Sequence, residues 1–305
     1  MKVLVTGGHG FLGKHVMQEL VQHGMEGAAL RRSDADLTSH VAALRVFQQH
    51  RPDAVIHLAA SVGGIGANRA TPATFWQENT LMGVNVLDAC LASGVKRLLV
   101  VGTTCSYPRV PKTIPFVEEE LFDGYPETTN AAYGIAKRSL LVGAAAYHKQ
   151  FGLDSVAVLP TNLYGPHDDF DEKTSHVIPA VIQKLHWAKV KRERTVELWG
   201  TGKPTRDFLH AADAAHGVVT ALEKSPPGEI YNLGSGTEVS IRNLVEELAV
   251  IVGYAGVIKF NPAHPDGQPR RALDSTKAKE LLGWEPVVKL RDGLEGVYTW
   301  WRNRG

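Results

Sequence analysis

The run Gly7-Gly-His-Gly10-Phe-Leu-Gly13, set directly after Lys2-Val-Leu-Val-Thr6, leaves few ways for this chain to begin folding. After Lys2, the four residues Val3 to Thr6 are apolar or β-branched without polar alternation, the pattern of a strand buried on both faces of a parallel sheet. A helical pattern follows the glycines through about His23. In a strand–turn–helix unit of this kind the first glycine permits the tight turn. The middle one lets backbone approach a pyrophosphate, and the last lets helix and strand pack closely. The helix N–H groups then face the phosphates. A plain glycine-rich turn has the same outline, so its meaning depends on the rest of the chain.

That remainder continues the alternation. A second strand, Gly27-Ala-Ala-Leu30, ends in Arg31-Arg32, where NAD-binding folds usually carry an acid for the ribose hydroxyls. A guanidinium there favours a 2′-phosphate, so NADP(H) is expected. His9 either adds to that contact or is a surface histidine. Asp36-Leu37 either meets the adenine or caps a helix over about Ser39 to Gln49. Asp53 to Ala60 reads as a third strand opening into the small residues Ser61 to Asn68, and a long helix is expected from about Pro72 to Ser93. Cys90 lies at helical spacing among Leu87 and Leu91, as a core residue does. Lys96 to Val101 is the next strand, delivering Gly102-Thr103-Thr104-Cys105; Pro126 to Asn130 leads into a helix bearing Tyr133 and Lys137. Ser155 to Leu159 is a further strand, ending in Pro160-Thr-Asn-Leu163. This order predicts an α/β fold: a Rossmann-type, doubly wound parallel sheet over residues 1–165 and a smaller α/β lobe over 166–305, with part of 211–236 packing back on the first.

Composition narrows the class of partner. The formal net charge is +1 and no block of like charge stands out, so Lys189 to Arg194 reads as solvated surface and nucleic acid is not expected. Two cysteines, Cys90 and Cys105, make no disulfide framework. No apolar run approaches a membrane span and no signal-peptide pattern is visible, so a cytoplasmic small-molecule protein is expected. No metal site is expected.

Taken together, the Gly7-x-x-Gly10-x-x-Gly13 spacing, a hydroxyl residue after the fourth strand and Tyr133-x-x-x-Lys137 resemble the extended short-chain dehydrogenase/reductases. Further stretches, Val62 to Asn68, Gly102 to Pro108, Pro160 to Asp168, Ser175 to Pro179, Trp199 to Gly202, Arg206 to His210 and Pro265 to Arg270, resemble the GDP-L-fucose synthases over nearly the whole chain. That resemblance implies an NADPH-dependent 3,5-epimerase and 4-reductase acting on GDP-4-keto-6-deoxy-D-mannose, and a homodimer formed through the two long helices. It also implies roles. Tyr133 is the proton donor, Lys137 its electrostatic support and ribose contact, and Thr103 a hydrogen-bond donor to the same oxygen. Cys105 is the epimerising base and His176 the acid. Gly7, Gly10, Phe11, Leu12, Gly13, Arg31, Arg32, Leu37, Gly102, Lys137, Pro160, Asn162, Leu163 and His176 meet the cofactor; Lys184, Trp199, Arg206 and Asp266 meet the nucleotide-sugar. The chain departs from the pattern at Thr103 and Thr104, where serines are common, and at His9, where an arginine can assist the cofactor phosphate.

A tyrosine is a poor acid–base group at neutral pH, and Lys137 one helical turn away is expected to lower its pKa. Other activities fit the same residues less completely: a reductase without epimerisation acting on a related GDP-4-keto sugar such as a 6-deoxy-heptose, a nucleotide-sugar 4-epimerase or dehydratase with tightly held NAD, and a non-catalytic redox-sensing module. Trp199 as core and Arg206 as an ion-pair partner of Asp207 or Asp213 are the structural alternatives at those positions.

Overall fold

The chain is described by a computed structural model at residues 1–171, 175–264 and 266–304. The first strand, β1 (Lys2–Thr6), runs into helix α1 (Phe11–Gln22); β2 (Glu26–Leu30), α2 (His40–His50) and β3 (Ala54–His57) follow. A short helix α3 (Ile65–Ala70) and the long α4 (Pro72–Ala92) then lead to β4 (Arg97–Val101). Next come α5 (Ala131–Phe151), β5 (Asp154–Pro160), β6 (Asn162–Tyr164), α6 (Val177–Val190), β7 (Thr195–Trp199) and β8 (Thr205–His210). The chain closes with α7 (Ala211–Lys224), β9 (Ile230–Leu233), β10 (Glu238–Ser240), α8 (Ile241–Val252), β11 (Val257–Asn261), β12 (Arg270–Arg271), α9 (Thr276–Leu282) and α10 (Leu290–Arg302).

Six strands form one sheet in the order β2-β1-β3-β4-β5-β9, all in parallel register. The chain moves outward from β1 to β2 and then returns across β1 to β3. In such a sheet the crevice at the C-terminal strand ends, where the order reverses, is where ligands bind. Apolar strand residues supply both faces: Leu4, Val55, Leu98 and Val100 join one core cluster with Phe47, Val86 and Leu140, and Val3, Val5, Ile56 and Val158 join another with Val16, Leu20 and Val218. Cys90 is fully buried in the first, and burial pushes its thiol pKa up. Because β9 is the sixth strand, α7 and β9 pack on the half built around the six-stranded sheet although they follow strands of the second. At the seam of α1 and α7, Glu19 lies 3.2 Å from His23 and 2.7 Å from His216, while His23 also meets Glu223 at 2.8 Å.

The second lobe has its own core, Ile182, Leu185, Val196, Phe208, Leu244, Leu248 and Val297, enclosed by α6, α8 and α10. Its strands form two small sheets, β10-β8-β12 with β6 beside β8, and β11 paired with β7. The third strand is shorter than the sequence pattern predicts. Pairing with β1 and β4 ends at His57, and Leu58 to Gly64 runs on as irregular chain past the glycine turn. The Ala59 amide donates to Thr6 Oγ1 at 3.2 Å, a bond outside the ladder that redirects the chain.

Candidate active site

A cavity of about 1420 Å³ opens at the C-terminal ends of the six-stranded sheet and extends to the second lobe. Its first wall is backbone. Gly7 has φ +70°, and a Cβ there would sit 2.9 Å from the Ala59 nitrogen. A Cβ on Gly13 would collide with the Gly7 carbonyl. Gly10 caps α1 without a side-chain hydrogen bond, and the first turn carries no acid, so the leading amides keep their partial positive charge for a ligand. These residues fit a dinucleotide pyrophosphate. Phe11, Leu12, Leu37, Gly102, Pro160, Asn162 and Leu163 also line this cavity. Arg31 and Arg32 stand exposed at its edge, Arg32 lying 3.5 Å from Glu78. Asp36 receives the Thr38 amide at 3.0 Å and hydroxyl at 2.8 Å, whereas Ser39 caps α2. His9 is exposed and outside the wall.

The N-terminal turns of α5 form the second wall. Lys137 is 3% exposed, and burial lowers its pKa to about 8. Close by, burial and then the Lys137 charge push His57 down to about 3; its neutral ring meets Thr6 Oγ1 at 2.8 Å. For Tyr133 the direction is up, caused first by burial and second by the charge of Cys105, with the adjacent Thr103 side chain opposing. The net direction is therefore opposite to the expected depression, and Lys137 is not among its causes. Removal of the phenol from water is the largest cause, and a protonated phenol is the form that can give a proton away.

Cys105 lies on the short helical turn Thr104–Ser106 that follows β4. Its sulfur accepts from Asn130 Nδ2 at 3.1 Å and from Arg271 Nη1 at 3.7 Å. Gly134 lets α5 approach this turn, since a Cβ there would strike the Cys105 carbonyl. Arg138 fastens the same turn by donating to the Ser106 carbonyl, and to the Gly124 carbonyl at 2.7 Å. From the other lobe, His176 stands exposed at the N-terminus of α6 with its Nδ1 4.0 Å from the buried Asp168. The neighbouring Asp168 raises the His176 pKa against partial desolvation of the ring by the cavity wall, and the charge of Asp169 adds to the rise.

The four residues expected to meet a nucleotide-sugar divide. Lys184, Trp199 and Arg206 line the far end of the cavity. Trp199 is 71% exposed and stacked on His264 at 4.5 Å between ring centroids, so it is not a core residue. Arg206 donates to the Thr205 carbonyl at 2.7 Å; burial lowers its pKa to about 10, with the Arg271 charge adding and Asp266 opposing. Asp207 instead bonds Ser235, and Asp213 accepts the Val288 amide, so neither acid is the arginine's partner. Asp266 is outside the wall: its carboxylate holds the Thr201 amide at 2.6 Å and hydroxyl at 2.7 Å, bracing the turn after Trp199. Pro265, the first residue of that motif, lies outside the described residues. Lys191, read as solvated surface, borders the cavity mouth.

Sequence reading missed Asn130, Gly134, Arg138, Asp168 and Arg271. One signal was present for Gly134, because a glycine inside a helix costs about 1 kcal/mol relative to alanine and so implies close packing. The others carry no local pattern that separates them from ordinary polar residues.

The profile of the NAD dependent epimerase/dehydratase family matches residues 3–234. GDP-L-fucose synthase 1 of Arabidopsis thaliana is 40% identical over 302 residues, covering 98% of this chain and 93% of the relative. Among solved structures, a GDP-6-OMe-4-keto-L-xylo-heptose reductase from C. jejuni superposes with a TM-score of 0.91 at 28% identity, covering 100% of this chain and 98% of that one. A GDP-L-fucose synthetase from Naegleria fowleri bound to NADP gives 0.89 at 29% identity, with 99% and 94% covered. These relationships make the protein a nicotinamide-dependent oxidoreductase. The chain belongs to the NAD dependent epimerase/dehydratase family and, within it, to the GDP-L-fucose synthases.

Proposed function

We propose that this enzyme converts GDP-4-keto-6-deoxy-D-mannose to GDP-L-fucose by inverting C3 and C5 and reducing C4, with NADPH as reductant. The reading is carried by the meeting, in one cavity, of a Tyr133–Thr103 pair with a separate thiol and imidazole, Cys105 and His176. The C4 oxygen rests between Tyr133 and Thr103. Cys105 removes the proton beside the ketone, and the resulting enolate charge falls on that oxygen, where the hydroxyls stabilise it. His176, whose acid form the neighbouring Asp168 favours, returns a proton from the opposite face, which inverts the carbon. The reduced nicotinamide supplies a hydride for the final step. Tyr133 then gives its proton to the C4 oxygen, and the charge of Lys137 stabilises the phenolate left behind.

Arg31 and Arg32 receive the 2′-phosphate, which sets the preference for NADP(H). Lys184, Trp199 and Arg206 take the GDP end of the substrate, the cations meeting diphosphate and the indole offering a flat face. Asp266 acts through the Trp199 turn. Exposed Leu81, Val84 and Leu91 on α4, with Val142 and Phe151 on α5, form the surface through which two copies pair.

The test is consumption of NADPH, compared with NADH, on adding GDP-4-keto-6-deoxy-D-mannose, with product stereochemistry read by NMR. One equivalent of NADPH oxidised per GDP-L-fucose formed is expected. A 4-reduced sugar with C3 and C5 uninverted would replace this reading with a C4 reductase, the activity named for the C. jejuni structure.

A further inference from the structure

A cysteine can serve as a proton-abstracting base only as thiolate, and a free thiol has a reference pKa of about 8.5. Two groups donate to the Cys105 sulfur, Asn130 Nδ2 at 3.1 Å and Arg271 Nη1 at 3.7 Å. Asn130 is 9% exposed, and its Oδ1 has no hydrogen-bond partner among the described residues. Arg271 is fixed by donating Nε to Gln268 Oε1 at 3.1 Å, and no described carboxylate pairs with it. Thus a buried amide and an unneutralised guanidinium converge on one sulfur.

We propose that Arg271, with Asn130, holds Cys105 as the thiolate, so that the second lobe charges a base borne by the first. This rests on the reading of Cys105 as the epimerising base. Arg271 is a positioning residue here and need not touch the substrate. The other titratable groups around the sulfur are accounted for. Tyr133 and Lys137 come from α5, Glu127 precedes that helix and is 3.4 Å from Arg109, His176 faces the cavity from α6, and Arg206 stands beside Arg271. A thiolate also offsets the repulsion between Arg206 and Arg271. The strand that carries Arg271 is only two residues long and pairs with β8, where Arg206 sits, so the thiol's counter-charge and the substrate arginine share one support.

The rival role for Arg271 is contact with the substrate diphosphate. The two roles separate without substrate and without turnover. In the intact enzyme with NADP bound, the pH dependence of alkylation by iodoacetamide reports the thiol directly. Cys90 is fully buried and Cys105→Ser serves as the blank. Arg271→Met should raise the midpoint by about 1–2 pH units relative to the wild type. Arg271→Lys should restore part of the shift. If Arg271→Met does not fold, Gln268→Ala frees the guanidinium and should raise the midpoint by several tenths of a unit. A midpoint that falls in Arg271→Met would overturn the proposal. So would a midpoint unmoved by Arg271→Met or, in its place, by Gln268→Ala, even if KM rises. Because alkylation needs no epimerisation, absence of that activity would defeat the reading of Cys105 as a base and leave this result interpretable.

Discussion

The two ends of the cavity are built from different materials. At the nucleotide-binding end the wall is main chain: glycines at 7, 10 and 13, the uncapped start of α1 and the bend after β3. At the far end it is side chain: Lys184 on α6, Trp199 on β7, Arg206 on β8 and Arg271 on β12. A backbone wall needs absences, positions where any Cβ collides, and is rigid because six paired strands support it. A side-chain wall needs long polar groups brought from scattered elements, and small sheets of short strands are enough to hold them. Under the proposed function the first wall would hold the cofactor. The second would hold the nucleotide-sugar, and overall superposition does not discriminate there: a heptose reductase and an NADP-bound fucose synthetase fit this chain with TM-scores of 0.91 and 0.89.

The largest effect is expected where the two ends meet. Tyr133→Phe removes the proton for the C4 oxygen and should lower the rate of NADPH oxidation by about 10²–10⁴-fold, with cofactor binding kept. Two further substitutions should part the ends cleanly. Gly13→Ala forces a methyl against the Gly7 carbonyl. The strain of overpacking, about 1–3 kcal/mol, should weaken NADP binding by about 10–100-fold in a fluorescence titration and leave GDP binding intact. Arg206→Ala should do the converse, raising KM for the nucleotide-sugar by about 10-fold or more through loss of charge-assisted hydrogen bonds. If Arg206→Ala weakened NADP binding as strongly, the division would be wrong.

The smallest effect is in pH. Lys137 loses its proton as pH rises through about 8, so support for the Tyr133 phenolate fades and reduction should slow by a few-fold above that pH. His176 has a raised pKa; its acid form is complete at low pH and is lost as pH climbs through a value above 6.5. Inversion should fall on its own alkaline limb, and Asp168→Asn should move that limb to lower pH. A single limb common to both half-reactions would contradict separate acids.

The same contrast explains what could be read from the chain. Gly7, Gly10 and Gly13 were legible because a phosphate cradle needs those positions empty, and the need falls within seven consecutive residues. The long helices and the core role of Cys90 were legible from periodicity. By contrast, Arg271 and Cys105 are separated by 166 residues, and Asn130 resembles any residue before a helix. Such contacts exist only after the second lobe folds over the first. The sequence motif around Asp266 pointed to the right turn, but the carboxylate braces Thr201 from within and does not enter the cavity. The net direction of the Tyr133 shift was not legible, because the spacing of Tyr133 and Lys137 carries no information about desolvation of the phenol.

The central claim is that one oxygen site serves two reactions with separate proton-handling groups. It is tested by incubating GDP-4-keto-6-deoxy-D-mannose with the enzyme in D2O without reduced cofactor and reading deuterium at C3 and C5 by NMR. The wild type should label both carbons, Tyr133→Phe should retain labelling at a reduced rate, and Cys105→Ser should lose it by about 10²-fold or more. Labelling in Cys105→Ser at the wild-type rate, or no labelling in the wild type, would contradict the account.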